Sequence, residues 1–275
     1  MKIGYLQFKP ELLNASANIE KVSDLISGEN FDLLVIPELA NSGYLFSSVE
    51  ELEKVSENPD DGKFCNMLKK ISRKKKSYIV AGFCEKVTDN GNTFYYNSSI
   101  LVFPDGKFRI YRKTHLFYDE KKFFLPGNSG FWVYDIYSEK YGAVKIGMMI
   151  CFDWIYPEAA RTLALRGAQI ICHPSNLVMP YCQDAMYTRA LENHVFTVTA
   201  NRIGSDVNGN DSVSFTGQSV IINPKGEYLS RASSDKEELN IVAIDPLFAK
   251  NKFINEKNNL FEERRELFYF RNSSS

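Results

Sequence analysis

The sequence predicts an α/β fold, with one domain over residues 1–275. Short apolar runs of strand length alternate with segments of helical periodicity along most of the chain. With 44% hydrophobic residues and no linker rich in proline, glycine or serine, the chain can bury one large core, although its length alone would suggest about two domains. The alternation indicates sheets covered by helices, and periodicity leaves the number of layers open.

Strands are predicted where short apolar runs are rich in β-branched and aromatic residues. The first run follows Met1, and the later runs recur through the chain to about residue 223. These strands lie near 2–8, 32–37, 78–86, 95–103, 107–112, 143–150, 169–174, 195–200 and 219–223.

Helices are predicted near 16–27, 61–75, 157–166 and 183–193, where apolar residues recur with helical spacing. The second helix ends in the basic run 69–76, whose cations suit a helix C-terminus and a solvated face. The third has Pro157 in its first turn, and Glu158 and other good helix formers follow.

Three of the predicted strands run into residues that could carry chemistry: Glu38, Lys113 and Cys151. A thiol at a bend between a strand and a helix would meet unpaired backbone N–H groups, which favour the thiolate. A single cysteine is weak evidence, because free cysteine usually behaves as a small buried hydrophobe. Asp153 has the type and position of a helix cap, and we favour that role over catalysis.

These segments resemble the nitrilase superfamily of carbon–nitrogen hydrolases. The three signatures of that family match Pro37-Glu38, Arg112-Lys113-Thr-His-Leu and Ile150-Cys151-Phe-Asp, in the family's order. Supporting segments, from Lys2-Ile-Gly-Tyr-Leu-Gln to Thr199-Ala-Asn-Arg, extend the resemblance over nearly the whole chain. The resemblance implies two sheets packed face to face with helices outside, a four-layer α-β-β-α sandwich.

The resemblance also implies a Glu-Lys-Cys triad. Glu38 would be the general base for Cys151, whose sulfur attacks a carbon bonded to nitrogen and forms a thioester. Lys113, with the backbone N–H of Phe152, would stabilise the developing oxyanion. Glu120 matches a second glutamate that relatives place near the lysine, and its alternative is a surface carboxylate.

Substrate choice is only weakly indicated. Tyr44, Phe152, Trp154 and Asn176 are candidate substrate-binding residues, and for Tyr44, Trp154 and Asn176 structural packing is equally plausible. The Cys151-Phe-Asp-Trp segment lacks the basic residues typical of N-carbamoyl amino acid hydrolases and the Cys-Trp-Glu of true nitrilases. It looks closer to amidases, including the branch that acts on N-carbamoylputrescine.

We therefore expect a small linear amide as substrate, hydrolysed to a carboxylic acid and ammonia. The alternatives are a nitrilase of aliphatic nitriles or an N-carbamoyl-amine hydrolase with the same triad, acyl transfer to an amine, and a catalytically silent binding protein.

The composition and motifs of the chain limit which binding partners we expect. A net charge of −1 without a basic stripe argues against nucleic acid. Neither a P-loop nor G-x-G-x-x-G is present, and the three histidines have no recognisable metal spacing, so we expect no cofactor and no metal. The five cysteines form no C-x-x-C pair, which suggests reduced thiols. Without a signal-like or membrane-length apolar run, we expect a cytoplasmic protein without membrane contact.

The last predicted feature is a C-terminal extension over 246–275. Its polar and charged residues are interleaved with Leu260, Phe261, Leu267, Phe268, Tyr269 and Phe270. These side chains could pack on the parent domain or form a subunit contact. Because relatives commonly dimerise through such extensions, we expect a homodimer or a higher homo-oligomer.

Overall fold

A computed structural model describes residues 1–269, which form two six-stranded sheets, one two-stranded sheet and five α-helices. The helices are α1 (Ala15–Ser27), α2 (Val49–Val55), α3 (Lys63–Lys75), α4 (Pro157–Leu165) and α5 (Cys182–Asn193). The strands are β1 (Lys2–Gln7), β2 (Leu33–Ile36), β3 (Tyr78–Asp89), β4 (Asn92–Val102), β5 (Phe108–Arg112), β6 (Val133–Ser138), β7 (Gly142–Met148), β8 (Ile170–Pro174), β9 (Phe196–Ala200), β10 (Ser205–Asn208), β11 (Asp211–Ser214), β12 (Val220–Ile222), β13 (Tyr228–Arg231) and β14 (Glu238–Ala243).

The first sheet has the order β14-β1-β2-β3-β4-β5, and the second has the order β13-β12-β9-β8-β7-β6. Strands β1, β2 and β3 are parallel, as are β7, β8 and β9, and the remaining pairs within both sheets are antiparallel. Strand β5 is therefore antiparallel to β4 and runs in the same direction as β2. The C-terminal ends of β2 and β5 consequently lie at the same edge of the first sheet.

The two sheets face each other across one apolar core. Side chains that alternate on β1, β2 and β3 meet side chains from β7, β8 and β9 there. On the outer face of the first sheet, α1 and α3 pack their apolar sides against the other face of the same strands. Leu163 of α4 lies directly over Gly147 of β7, so α4 covers the outer face of the second sheet. This four-layer α-β-β-α arrangement confirms the predicted fold class.

All the strands and helices predicted from the sequence are present. The sequence did not predict the short helix α2 or five of the strands, which are β6, β10, β11, β13 and β14. Three of these strands, β6, β13 and β14, lie at sheet edges and are largely half-buried or exposed. A strand covered on one side only needs fewer apolar residues, so its sequence resembles that of a loop.

Gly82 of β3 allows a close approach that matters for the site. A Cβ atom at Gly82 would lie 2.3 Å from the Cα atom of Glu38 and 2.7 Å from the carbonyl oxygen of Pro37. The backbone N–H of Gly82 also donates to that carbonyl, at 3.1 Å. Only glycine therefore lets β3 pass directly beside the peptide that carries Glu38.

No helix within residues 1–269 combines the length and the apolar character that a membrane crossing requires.

Candidate active site

Glu38 and Lys113 come from the first sheet, and Cys151 comes from the second. Glu38 follows the end of β2 and Lys113 follows the end of β5, at the edge that these two strands share. Cys151 lies three residues beyond the end of β7. All three are buried, with at most 6% of each residue exposed.

Lys113 is held between two carboxylates. Its Nζ donates to Oε1 of Glu38 and to Oε1 of Glu120, both at 2.7 Å. Burial by itself lowers the pKa of the Lys113 ammonium, but the charges of Glu120 and Glu38 outweigh it and raise the pKa above its usual value. Lys113 therefore stays positively charged although it is fully buried.

The two oxygens of Glu38 differ in their surroundings. Oε1 accepts hydrogen bonds from Lys113 and from Nδ2 of Asn97, each at 2.7 Å. Oε2 has no hydrogen-bond partner among the described residues. One oxygen thus fixes the carboxylate in place, and the other is available to accept a proton.

Glu120 is the buried residue of a 3₁₀ segment, Tyr118–Lys122. Its carboxylate accepts from Lys113, from the hydroxyl of Tyr44 at 2.9 Å and from the backbone N–H of Phe117 at 3.2 Å. Burial raises the pKa of Glu120 to about 7, since the stabilising charge of Lys113 is offset in part by the nearby carboxylate of Glu38. The surface-carboxylate alternative for Glu120 is therefore wrong.

Cys151 occupies an unusual backbone conformation at the start of a 3₁₀ segment, Cys151–Ile155. Its φ of +39° lies in the left-handed region, which costs a non-glycine residue about 1–3 kcal/mol. The α-helix predicted near 157–166 begins at Pro157, its first position, which confirms that prediction. Sγ lies 3.6 Å from the carbonyl oxygen of Asn176.

The thiol of Cys151 is protonated at rest. Burial raises its pKa well above the usual value, and the charge of Glu38 raises it further, while Lys113 acts in the opposite direction. Any contribution of backbone N–H groups at the bend, which were expected to favour the thiolate, does not reverse this net rise. The carboxylates and the loss of water outweigh the partial charges of a short 3₁₀ segment.

Asp153 fixes the segment that carries Cys151. Oδ2 accepts from the backbone N–H of Ile150 at 2.8 Å and from the hydroxyl of Tyr111 at 2.6 Å, and Oδ1 contacts the ring Nδ1 of His115 at 2.8 Å. Asp153 is not the N-cap of α4, but its bond to Ile150 closes the start of the 3₁₀ segment from inside it. The bond to Tyr111, which belongs to β5, also ties the Cys151 segment to the first sheet.

His173 also holds the Cys151 backbone, a role that the sequence did not reveal. Its Nε2 lies 2.9 Å from the carbonyl oxygen of Cys151, and its Nδ1 lies 3.1 Å from Oγ1 of Thr199. A carbonyl can only accept, so Nε2 carries the proton, and Nδ1 accepts from the threonine. Burial lowers the pKa of His173 to about 4, which keeps the ring neutral near pH 7.

A cavity of about 260 Å³ opens beside Cys151, and we call it the Cys151 cavity. Three of the candidate substrate-binding residues, Phe152, Trp154 and Asn176, line it. Tyr44 has a different place, since its hydroxyl binds Glu120. The full set of lining residues is Phe117, Cys151, Phe152, Trp154, Ile155, Asn176, Leu177, Val178, Met179 and Tyr181.

Other sequence expectations concern metals and cysteines. In the part of the chain that the structure describes, no three or more His, Cys, Asp or Glu side chains are grouped in a way that could hold a metal ion. All five cysteines are buried and free.

The family model described as carbon-nitrogen hydrolase matches residues 2–250. A relative named nitrilase, from Pyrococcus abyssi, is 45% identical over 98% of this chain and 100% of its own length. A relative named (R)-stereoselective amidase, from a Pseudomonas species, is 33% identical over 89% of this chain and 85% of its own. Among solved structures, a carbon-nitrogen hydrolase from Helicobacter pylori superposes with a TM-score of 0.80 at 25% identity, covering 98% of this chain and 97% of its own.

His173 makes the stability of the protein depend on pH. Above pH 6.5 the ring is neutral in both the folded and the unfolded chain, and its contribution to stability is fully present. Between pH 6.5 and about 4, His173 binds a proton in the unfolded chain but stays largely neutral in the folded protein. We expect this to cost about 3 kcal/mol of unfolding free energy by pH 4.

Urea unfolding of the wild type and of His173→Gln, followed from pH 7.5 to pH 4, measures how much His173 contributes to the loss of unfolding free energy. Glutamine can retain a donor for the Cys151 carbonyl but does not titrate, so the loss of stability towards pH 4 should be smaller in the variant. Parallel curves for the two proteins would assign the acid sensitivity to other groups.

Proposed function

This chain belongs to the carbon-nitrogen hydrolase family, and we propose that it is a cysteine-dependent amidase of small linear amides. The observation that carries the proposal is a protonated Cys151 thiol whose pKa is raised in part by the charge of Glu38, while Oε2 of that carboxylate has no hydrogen-bond partner among the described residues. A carboxylate oxygen left free near a thiol can accept the thiol proton. That capacity is what acylation of a thiol by an amide requires.

In the first half of the proposed reaction, the amide carbonyl enters beside Cys151. Oε2 of Glu38 takes the thiol proton as Sγ bonds to the carbonyl carbon, and the carbonyl π electrons move onto oxygen. The ammonium of Lys113 stabilises that oxyanion. The backbone N–H of Phe152 can add a hydrogen bond, since the leading N–H groups of a 3₁₀ segment have no acceptors within it.

The tetrahedral adduct then collapses. The C–N bond breaks, the proton held by Glu38 passes to the leaving nitrogen, and ammonia departs from the thioester. In the second half, Glu38 takes a proton from water as the water oxygen attacks the thioester carbon. The C–S bond breaks, the carboxylic acid leaves, and the same proton returns to Sγ. Protons and electrons balance over the cycle without any group beyond the triad and water.

Glu120 acts through Lys113 in this proposal. With Glu38 it holds the ammonium at a fixed position between two carboxylates. Tyr44 and the backbone of Phe117 in turn hold Glu120. A lysine held only by Glu38 would have more freedom to swing away from the oxyanion.

The side chain of Asn176 supports an amide substrate. It is buried in the wall of the Cys151 cavity, and neither its Nδ2 nor its Oδ1 has a hydrogen-bond partner among the described residues. An unpaired donor and an unpaired acceptor together match the carbonyl and NH₂ of an amide, whereas a nitrile offers only an acceptor.

Nitrile hydrolysis is the second candidate. It is favoured by the relative named nitrilase, whose identity of 45% is above that of the relative named amidase. The same thiol and the same base could attack a nitrile carbon to give a thioimidate. Hydrolysis of N-carbamoyl amines and transfer of the acyl group to an amine would also use this site.

We propose in addition that two copies of the chain associate through the C-terminal extension. Part of the extension packs on its own chain: Nζ of Lys252 donates to carbonyls at the end of α5, and Arg161 of α4 lies over the ring of Phe261. Leu267 and Phe268 are 82% and 67% exposed, an arrangement that favours burial against a second copy. Phe270 and the residues to 275 lie outside the described part of the chain.

The catalytic prediction concerns Cys151→Ala, with Cys172→Ala as its matched control. Both thiols are buried, but only Cys151 faces the charged cluster, so the first variant should lose all turnover while the second keeps it. Product is read by mass spectrometry over linear amides, aliphatic nitriles and N-carbamoyl amines. If acid appears only from the amides, the amidase proposal is supported. A preference for nitriles or for N-carbamoyl amines would replace amide hydrolysis with that activity. Turnover by Cys151→Ala would end the triad proposal.

For Glu120, the informative change is Glu120→Gln, with Asp119→Asn as the neighbouring control. The pKa of Glu120 near 7 predicts that wild-type activity rises as pH increases through 7, because ionised Glu120 holds the Lys113 ammonium. The glutamine variant should lack this rise and have a kcat lower by up to about 100-fold, because Lys113 is less well positioned. Among residues 1–269, the exposed Asp119 forms an ion pair only with Lys122, so its replacement should leave kcat unchanged. A full kcat and an unchanged pH profile in Glu120→Gln would remove this residue from the mechanism.

The association prediction uses a chain truncated after Asn259 and a full-length Leu267→Ser/Phe268→Ser variant. Sedimentation of the full chain should show a dimer or a larger species, and both variants should shift towards monomer because they lose the exposed apolar contact. The double variant keeps the packing of Phe261, which guards against simple unfolding. Identical sedimentation of all three proteins would contradict a role of the extension in assembly.

A further inference from the structure

The wall of the Cys151 cavity is uncharged. Eight of its ten lining residues are aromatic or aliphatic, and the other two are Cys151 and Asn176. The charged residues Glu38, Lys113 and Glu120 bind one another on the side of the thiol. They are therefore placed to act on the amide group, whereas the rest of a substrate would meet apolar side chains.

Arg189 contacts the backbone of one wall residue, but its charge is already paired. Nε of Arg189 donates to the backbone carbonyl of Trp154 at 3.1 Å, and its Nη1 pairs with Glu192 at 2.8 Å. Arg189 is not one of the residues that line the cavity. Among the described residues that line the cavity, a substrate carboxylate would thus find no free cation and a substrate ammonium would find no carboxylate.

The shape of the wall fits a small apolar group. Phe152 packs against Phe117 with ring centroids 5.0 Å apart, and Trp154 meets Tyr181 edge to face at 5.9 Å. Such flat surfaces bury aliphatic chains and aromatic rings well. A volume of about 260 Å³ lies below the range that drug-sized ligands occupy, which favours a short acyl group.

We propose that the Cys151 cavity is an acyl subsite for neutral, apolar groups, and that the substrate is a short aliphatic or aromatic monoamide without a second charged end. This inference rests on the proposed amidase function and narrows its substrate class. An unpaired charge in the cavity would lose its hydration without gaining a partner, so charged acyl groups should be selected against. Each apolar methylene, in contrast, gains from leaving water.

Three amides with the same six-carbon chain test the proposal: hexanamide, 6-aminohexanamide and adipamic acid. The expected kcat/KM for hexanamide is at least about 100-fold above the value for either charged amide, since an unpaired buried charge costs several kcal/mol. Equal rates, or a preference for a charged amide, would overturn the apolar subsite and leave the amidase proposal intact.

Binding can be read without turnover, because the chain has only two tryptophans and one of them, Trp154, lines the cavity. In the Trp132→Phe/Cys151→Ala variant, Trp154 is the one remaining tryptophan. Hexanamide should shift its emission at concentrations at least 10-fold below those that the charged amides need. If hexanamide binds but the wild type hydrolyses no amide, the proposed function fails and the apolar subsite stands. No preference in binding overturns the subsite.

A charge introduced into the cavity wall gives a third test of the apolar subsite. Val178→Asp, with Val178→Asn as the uncharged control of equal size, should move the ratio of kcat/KM values at least 10-fold from hexanamide towards 6-aminohexanamide. The asparagine variant should leave that ratio within about threefold of the wild type. An unchanged ratio in Val178→Asp would contradict the placement of the acyl group beside Val178.

Discussion

The buried ammonium of Lys113, shared by Glu38 and Glu120, is the interaction on which the rest of the site depends. A lone buried cation would lose its proton, and two lone buried carboxylates would gain protons. Held together, the three groups keep a charged cluster inside an apolar core. Burial, helped by the charge of Glu38, explains why the neighbouring thiol keeps its proton until a substrate supplies an electrophile.

The fold supplies this cluster with its rigidity. Glu38 and Lys113 follow strands that run in one direction at a shared edge, and Asn97 of β4 bridges towards Glu38 from between them. Cys151 arrives from the facing sheet, where Asp153 and His173 hold its backbone from both sides. Because the nucleophile and its base belong to different sheets, the site exists only when the two sheets are packed together.

The sequence predicted much of this arrangement because central strands leave strong apolar patterns, and because Glu38, Lys113 and Cys151 lie in recognisable segments. It could not predict β6, β13 or β14, since edge strands need little apolar character. It also gave no sign of Gly82 or His173, whose importance comes from contacts across the fold: a strand passing beside Glu38, and an imidazole reaching the Cys151 carbonyl. The sequence also did not show how strongly burial and the charge of Glu38 raise the pKa of the Cys151 thiol, because a short segment does not reveal what surrounds a group in the fold.

The protonated state of Cys151 also bears on the durability of the protein. Oxidants and alkylating agents attack thiolates far faster than thiols, and damage beyond the sulfenic acid is irreversible for most proteins. A buried thiol whose proton leaves only when a carbon electrophile sits beside Glu38 is therefore shielded from adventitious chemistry in the intervals between turnovers. The same electrostatics that delay the nucleophile until the substrate arrives should lengthen the working life of each molecule.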